Sequence, residues 1–228
     1  MTVEPAPGGP CTVAIIVDDI GVNMAAVKRL AAIDAELTFS VMPQLPGSRP
    51  AAHYLSARGR EVMLHQPMES LGGNQLGPGA IVDSMQPAEA RAILKENLDS
   101  LPMVKGLNNH EGSRVTQNRV LMEAVLGELK NRGLFFVDSL TTSKSVGREV
   151  ARENGVPVAV RQVFLDNEQN PAYIKGQLAR LEKVARKNGG AIAICHPHNA
   201  TVSTLESELP AMQRRGVRIV PVSSFVRG

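Results

Sequence analysis

The sequence contains no tryptophan, and aromatic residues make up only 3% of its 228 residues. Surfaces that bind nucleic acid usually combine a clustered basic patch with stacking aromatic side chains. Here 25 lysines and arginines are mixed with 22 acidic residues, and Lys183, Arg186 and Lys187 are expected to form one solvated face of a helix. The composition therefore argues against a nucleic-acid partner, despite a net charge of +3.

Cysteine is also scarce, with Cys11 and Cys195 as its two occurrences. Two cysteines are too few for a disulfide scaffold, and their separation does not match a zinc knuckle. Both lie at the ends of predicted strands. We expect two buried thiols, with a disulfide as the alternative if the two strands are neighbours.

Long apolar runs are missing as well, so we expect neither a signal peptide nor a membrane span in this sequence. Residues 1–10 are rich in proline and glycine and are expected to be a flexible lead-in. The whole chain is 43% hydrophobic, and no Pro/Ser/Gly-rich stretch divides residues 11–228. We therefore predict one domain over residues 11–228.

Apolar strand-like runs alternate with segments of helical spacing along the whole chain. The predicted helices cover residues 23–35, 49–58, 87–101, 119–131, 146–153, 171–187 and 205–215. Such alternation is typical of a parallel sheet with helices outside, and seven or eight units in one chain favour a closed or nearly closed α/β barrel. An open doubly wound sheet is the alternative.

Two adjacent carboxylates, Asp18 and Asp19, close the apolar run of residues 13–17. Neighbouring ionised carboxylates repel each other and lose hydration, so they need a cation, a proton or strong hydrogen bonds. One interpretation of this pair is that it binds a metal ion. The other is that one aspartate caps the following helix while its neighbour is solvated.

Polar residues also follow the later strands, and in parallel α/β barrels such strand ends converge on one site. Four histidines share this placement: His65, His110, His196 and His198. Together with Asp18 and Asp19 they predict a metal site or a general acid–base site. Imidazole with carboxylate suits zinc or a similar divalent ion better than magnesium or calcium.

Six segments carry a family resemblance, in this order: Ile-Val-Asp-Asp-Ile-Gly, His-Gln-Pro-Met-Glu, Asn-Asn-His-Glu-Gly-Ser-Arg, Phe-Phe-Val-Asp-Ser-Leu-Thr-Thr, Phe-Leu-Asp-Asn and His-Pro-His. They resemble the divergent polysaccharide deacetylases. The resemblance implies a deformed (β/α) barrel that uses a divalent metal, usually zinc, to remove acetyl groups from envelope or extracellular sugars. By this resemblance, Asp18 is the general base, Asp19 and His65 are metal ligands, and His196 assists the leaving group.

The sequence departs from the wider superfamily at the second motif, where a metal-binding histidine is expected four residues after the first. Glu69 occupies that position here. We predict His110 as the third ligand, because Pro67 disfavours the helical turn that would align His65 with Glu69, which remains the alternative. Arg114 is expected to orient a carboxylate.

Asp138 and Asp166 are expected to orient His196 or the metal-binding histidines, or else to cap the turns that follow them. The predicted substrate-binding or supporting residues are Glu69, Asn109, Glu111, Arg114, Asp138, Ser139, Asp166 and His198.

Three function classes fit these residues. The first is a metal-dependent carbohydrate deacetylase, which the resemblance implies to be periplasmic or in the envelope. The second is a non-catalytic envelope barrel that binds a glycan or a protein. The third is another metal-dependent hydrolase such as an amidohydrolase, against which stands the lack of a His-x-His after the first strand. The oligomeric state stays open.

Overall fold

The structure is a computed structural model that describes residues 11–73 and 75–228. Its strands are β1 (Cys11–Ile20), β2 (Thr38–Val41), β3 (Glu61–Met68), β4 (Gly106–Glu111), β5 (Phe135–Asp138), β6 (Val158–Val160), β7 (Val163–Phe164), β8 (Ala191–Cys195) and β9 (Val217–Ile219). Its α-helices are α1 (Met24–Ala32), α2 (Ser48–Ser56), α3 (Pro87–Ser100), α4 (Arg119–Arg132), α5 (Gly147–Glu153), α6 (Pro171–Asn188) and α7 (Asn199–Arg214). The flexible lead-in expected at residues 1–10 lies outside the described residues.

Eight strands follow one another around a curled parallel sheet in the order β6-β5-β4-β3-β2-β1-β8-β7, and β9 pairs in parallel with β1. Only Arg161 and Gln162 separate β6 from β7, so the two ends of this path belong to one short stretch of chain. That stretch pairs with β5 through β6 and with β8 through β7. The predicted deformed (β/α) barrel is therefore confirmed.

Alternating residues of each strand face opposite sides of the sheet, and this alternation builds two apolar layers. In β1, Ala14 and Ile16 pack inside the barrel with Met63, Val137 and Ile194 from the other strands. The intervening β1 residues, at 13, 15 and 17, pack with the surrounding helices. The inner layer matters for function, because the residues that continue it toward the strand C-termini enclose the histidines.

One glycine is required inside the barrel. A Cβ atom at Gly106 would lie 2.4 Å from two ring atoms of Phe135 in the neighbouring strand. Because that ring is buried and packed, it cannot move aside cheaply. Gly106 thus allows β4 and β5 to pair while the bulky Phe135 fills the barrel.

Polar caps set the helix starts where the sequence predicted them. Asn23, Asn118 and Asn170 each accept a hydrogen bond from a backbone N–H in the first turn of α1, α4 and α6. The start of α7 was predicted wrongly, because the helix begins at Asn199 and not at residue 205. Its first turn contains Thr201 and Val202, whose β-branched side chains weaken the helical signal.

Two strands extend further than their apolar runs indicated. His65 lies inside β3 and His110 inside β4, whereas the sequence placed both beyond the strand ends. The last strand is short, since β9 ends at Ile219, and a 3₁₀ turn follows at Val222–Phe225. Cys11 and Cys195 are buried free thiols, as expected. Among the described residues, no helix is long and apolar enough to cross a membrane.

Candidate metal centre

The two adjacent aspartates both face the histidines because β1 is irregular at this point. The pairing of β1 with β2 shifts register between Val17 and Ile20, and Asp19 has a left-handed backbone with φ of 56°. A regular strand would send Asp18 and Asp19 to opposite faces of the sheet. A left-handed conformation costs a non-glycine residue about 1–2 kcal/mol. The bulge thus brings a second carboxylate to the site at a cost in stability.

Asp19 forms a small triangle with two histidines from the neighbouring strands. Its Oδ1 lies 3.3 Å from His65 Nε2 and 3.1 Å from His110 Nδ1. The two imidazole nitrogens are 3.2 Å apart. Four ligands at about 2.0–2.1 Å from a tetrahedral zinc lie about 3.4 Å from one another, so the triangle has the size of one tetrahedral face. The donor set therefore fits zinc and leaves a fourth position open.

The hydrogen bonding of Asp19 supports the same interpretation. Its buried Oδ1 accepts no hydrogen bond of acceptable geometry from any residue within 11–73 or 75–228, although both imidazoles lie close. Burial alone would raise the pKa of Asp19, but contacts with His110 and His65 hold that pKa well below its usual range. A buried, ionised oxygen without a hydrogen bond is costly, and a cation would compensate it.

The structure brings His110, and not Glu69, to Asp19 and His65. Glu69 Oε1 lies 3.0 Å from Arg114 Nε, and its Oε2 accepts a hydrogen bond of 2.7 Å from the Asp83 backbone N–H. Glu69 is therefore engaged beside the site, where it forms an ion pair with Arg114. The geometry favours His110 as the third ligand.

A second cluster contains Asp166, His196 and His198. Asp166 Oδ1 is 3.1 Å from His196 Nδ1, while its Oδ2 accepts hydrogen bonds from the His196 backbone N–H at 2.7 Å and from Thr201 Oγ1 at 2.8 Å. Both oxygens of Asp166 therefore have protein donors, and in this sense we call the carboxylate saturated; its Oδ1 contact orients the His196 ring. His198 lies at the start of α7, with its ring centroid 5.7 Å from that of His196.

His196 lies next to the triangle, with Nε2 3.9 Å from Asp19 Oδ2. Burial alone would lower its pKa, but the hydrogen bond to Asp166 and the charge of Asp18 raise the pKa of His196 to about 9. In this arrangement His196 holds a proton at neutral pH. It can therefore act as an acid or stabilise an anion.

Asp18 is buried next to the triangle as well, and its Oδ2 lies 3.6 Å from His65 Nε2. Burial raises its pKa, and the nearby His65 and His196 offset only part of that rise. A raised pKa makes a carboxylate a better proton acceptor. Asn108 Nδ2 donates a hydrogen bond of 2.9 Å to Asp18 Oδ1, a contact that the sequence analysis did not single out.

The remaining predicted residues shape the loops around the site. Asp138 accepts hydrogen bonds from Leu140 N and Ser145 Oγ, so it stabilises the next turn and is not placed to orient His196. Asn109 accepts a hydrogen bond from the Ser139 backbone N–H and donates one to the Glu111 carbonyl. These bonds tie the end of β4 to the loop after β5.

A cleft of about 160 Å³ opens onto these groups. It is lined by Asp18, His65, Asn109, His110, Glu111, Ser139, Thr141, Phe164, Ile194 and His196. A larger hollow, of about 460 Å³, lies beside the ends of α3 and α4 and has no histidine in its lining. The smaller cleft is the functional candidate, because its lining contains the three histidines and Asp18 beside the apolar Phe164 and Ile194.

The barrel and its histidine–aspartate centre define a protein of the polysaccharide deacetylase type. Residues 15–226 match the divergent polysaccharide deacetylases, and the chain belongs to this family. It is 35% identical over 193 residues to the uncharacterised protein YibQ of Escherichia coli (strain K12). The match includes 85% of this chain and 60% of the length of YibQ. An uncharacterised Haemophilus influenzae protein is 31% identical over 196 residues, with 86% of this chain and 70% of the relative covered.

Solved structures share the fold. The uncharacterised protein ATU2773 from Agrobacterium tumefaciens C58 matches with a TM-score of 0.90 and 24% identity, over 98% of this chain and 93% of that one. BA3943, a family 4 carbohydrate esterase pseudoenzyme from Bacillus anthracis, gives a TM-score of 0.58 and 13% identity. The match covers 95% of this chain and 65% of BA3943. A family 4 carbohydrate esterase from Streptomyces lividans, in complex with acetate, gives a TM-score of 0.54 and 12% identity, and the match covers 91% of each chain.

Proposed function

We propose that this protein is a zinc-dependent deacetylase that acts on acetylated carbohydrate. The observation that carries the proposal is the triangle of Asp19, His65 and His110, with Asp18 next to His65 and His196 next to Asp19. Family membership supports the substrate class, and the nitrogen and oxygen donors support zinc. A divalent ion held by the triangle would supply Lewis acidity, which favours attack of water on an acyl carbonyl at neutral pH.

Each flanking residue has a defined task in this proposal. Asp18 accepts the proton of the attacking water, a role that suits a buried carboxylate with a raised pKa. His196, protonated and oriented by Asp166, stabilises the developing oxyanion or donates its proton to the leaving amine or alcohol. Phe164 and Ile194 form an apolar wall against the methyl group of the acyl substituent.

The size of the cleft supports a small acyl group. Its volume is about 160 Å³. Sites that enclose a drug-sized ligand occupy about 300–1,000 Å³, so this cleft would hold a substituent while the sugar stays outside. The proposal includes an extracytoplasmic location in the cell envelope, where such glycans occur, and cell fractionation would test that location.

Acetate release tests the proposal. Zinc-loaded protein would be incubated with N-acetylated chito-oligosaccharides and with O-acetylated xylan, beside the Asp18→Asn variant. We expect release by the unaltered protein, lost on chelation, and a decrease of about 10²- to 10⁴-fold in the variant. Release that survives both chelation and Asp18→Asn would contradict the mechanism.

A non-catalytic glycan-binding barrel is the second candidate. The observation that favours it is the shared fold of the Bacillus anthracis pseudoenzyme. Bound zinc together with glycan binding, but without acetate release from any acetylated glycan, would support this candidate over the enzyme.

A further inference from the structure

Asn108 lies at the centre of the site, between the metal-binding triangle and Asp18. The residue is completely buried in β4, next to His65 in the register of β3 and β4. We infer that Asn108 is a positioning residue whose single amide fixes both the metal-binding nitrogen of His65 and the carboxylate of Asp18. This inference rests on the proposed function, since it gives Asn108 a role in zinc binding at the same centre.

Hydrogen bonding determines which way the amide points. Asn108 Nδ2 lies 2.9 Å from Asp18 Oδ1, and an ionised carboxylate can only accept hydrogen bonds. The reversed amide would place two acceptor oxygens against each other at that distance. The NH₂ group therefore faces Asp18, and Oδ1 faces the opposite side.

On that opposite side the amide oxygen selects the tautomer of His65. Asn108 Oδ1 lies 2.9 Å from His65 Nδ1 and also accepts a hydrogen bond from the Ser40 hydroxyl. Because an amide oxygen has no proton to give, neutral His65 must carry its proton on Nδ1. The lone pair is then on Nε2, the nitrogen that faces Asp19 Oδ1 at 3.3 Å.

A metal ligand needs this lone pair, and an imidazole bound to metal usually donates its other N–H to a nearby oxygen. The same amide holds Asp18 in place through Oδ1, which leaves Asp18 Oδ2 directed at His65 Nε2, 3.6 Å away. The donor and the acceptor of one side chain thus serve two different tasks. Substitutions can separate these tasks.

Zinc affinity, measured by competition with a chelator of known affinity, tests the inference. Asn108→Ala removes both contacts and is expected to weaken zinc binding by about 10- to 100-fold, the usual effect of losing a partner of a metal ligand. Asn108→Asp keeps an oxygen for His65 Nδ1 but loses the donor to Asp18. It is expected to bind zinc at least as tightly as the unaltered protein, and to lose acetate release.

Asn97→Ala is the matched control. Asn97 is also completely buried, and it donates hydrogen bonds to Gln66 Oε1 and to the Gly79 carbonyl, both at 2.8 Å. Its loss should lower stability without changing zinc affinity. Equal weakening by Asn97→Ala and Asn108→Ala would show a general packing effect and overturn the inference.

A second measurement needs no variant. In the long-range ¹H–¹⁵N spectrum of zinc-loaded unaltered protein, His65 should be protonated at Nδ1 and bound to zinc through Nε2, and the reverse assignment would contradict the inference. If unaltered protein binds no zinc, the proposed function fails and the inference falls with it. If it binds zinc and Asn108→Ala binds equally well, the inference alone fails.

Discussion

The two histidine–aspartate clusters of this barrel have the same kinds of side chain but opposite hydrogen bonding. In the first, Asp19 Oδ1 is buried without a hydrogen bond of acceptable geometry from the described residues, and it faces His65 and His110. In the second, both oxygens of Asp166 accept hydrogen bonds from protein donors. Hydrogen-bond saturation, more than residue type, therefore separates a candidate metal ligand from a residue that positions a proton donor.

The largest effect should follow the loss of the unsaturated carboxylate. Asp19→Ala removes one of three donors and is expected to weaken zinc binding by more than about 100-fold, because the loss of a ligand exceeds the loss of a ligand's partner. Chelator competition would measure it. Unchanged zinc affinity in Asp19→Ala would show that the metal lies elsewhere.

Asp166→Asn tests the saturated cluster. It should leave zinc affinity unchanged and reduce acetate release on the order of 10²-fold, because His196 loses the charge that orients it. His196 acts in its protonated form, so a lower pKa moves the alkaline limb of the pH–rate profile to lower pH. Rate measurements from pH 6 to 10 would show this shift, and loss of zinc would contradict the assignment.

Glu69→Gln tests the residue that stands where the wider superfamily has a metal-binding histidine. Since Glu69 is paired with Arg114 and the Asp83 backbone, we expect zinc affinity to change by less than about threefold, well below the change for a ligand's partner. His110→Ala is the comparison and should lose zinc. The opposite ranking of these two variants would restore Glu69 as the third ligand.

The smallest effect on zinc affinity is expected for Thr201→Val. This change removes one of the donors to Asp166 and should lower the free energy of unfolding by about 1–3 kcal/mol, because a buried acceptor loses a partner. Urea unfolding measures the loss. Zinc affinity should stay the same, and an increase in zinc content would indicate that desaturated Asp166 had become a ligand.

The sequence predicted the barrel because its alternating apolar runs, caps and glycines are local signals. It also predicted that His65, His110 and His196 lie close together, since polar residues stood at three separate strand ends. The adjacent Asp18 and Asp19 left two interpretations open, a metal site and a helix cap. The backbone bulge that turns Asp19 toward the site was not visible, because it depends on pairing with β2.

Asn108 was missed for a related reason. The apolar run of β4 stops at Leu107, which indicates a strand end there, whereas pairing with β3 extends the strand to Glu111. In the longer strand, Asn108 and His110 are two residues apart and face the same side. The different tasks of Asp138 and Asp166 could not be predicted either, because they depend on distant donors such as Thr201.

Anomalous diffraction at the zinc edge, from crystals of zinc-loaded protein, tests the central claim most directly. The account predicts one strong peak bounded by Asp19 Oδ1, His65 Nε2 and His110 Nδ1, with His196 and Asp166 still hydrogen-bonded to each other. A peak between Asp166, His196 and His198, or no peak at the triangle in zinc-saturated crystals, would contradict it.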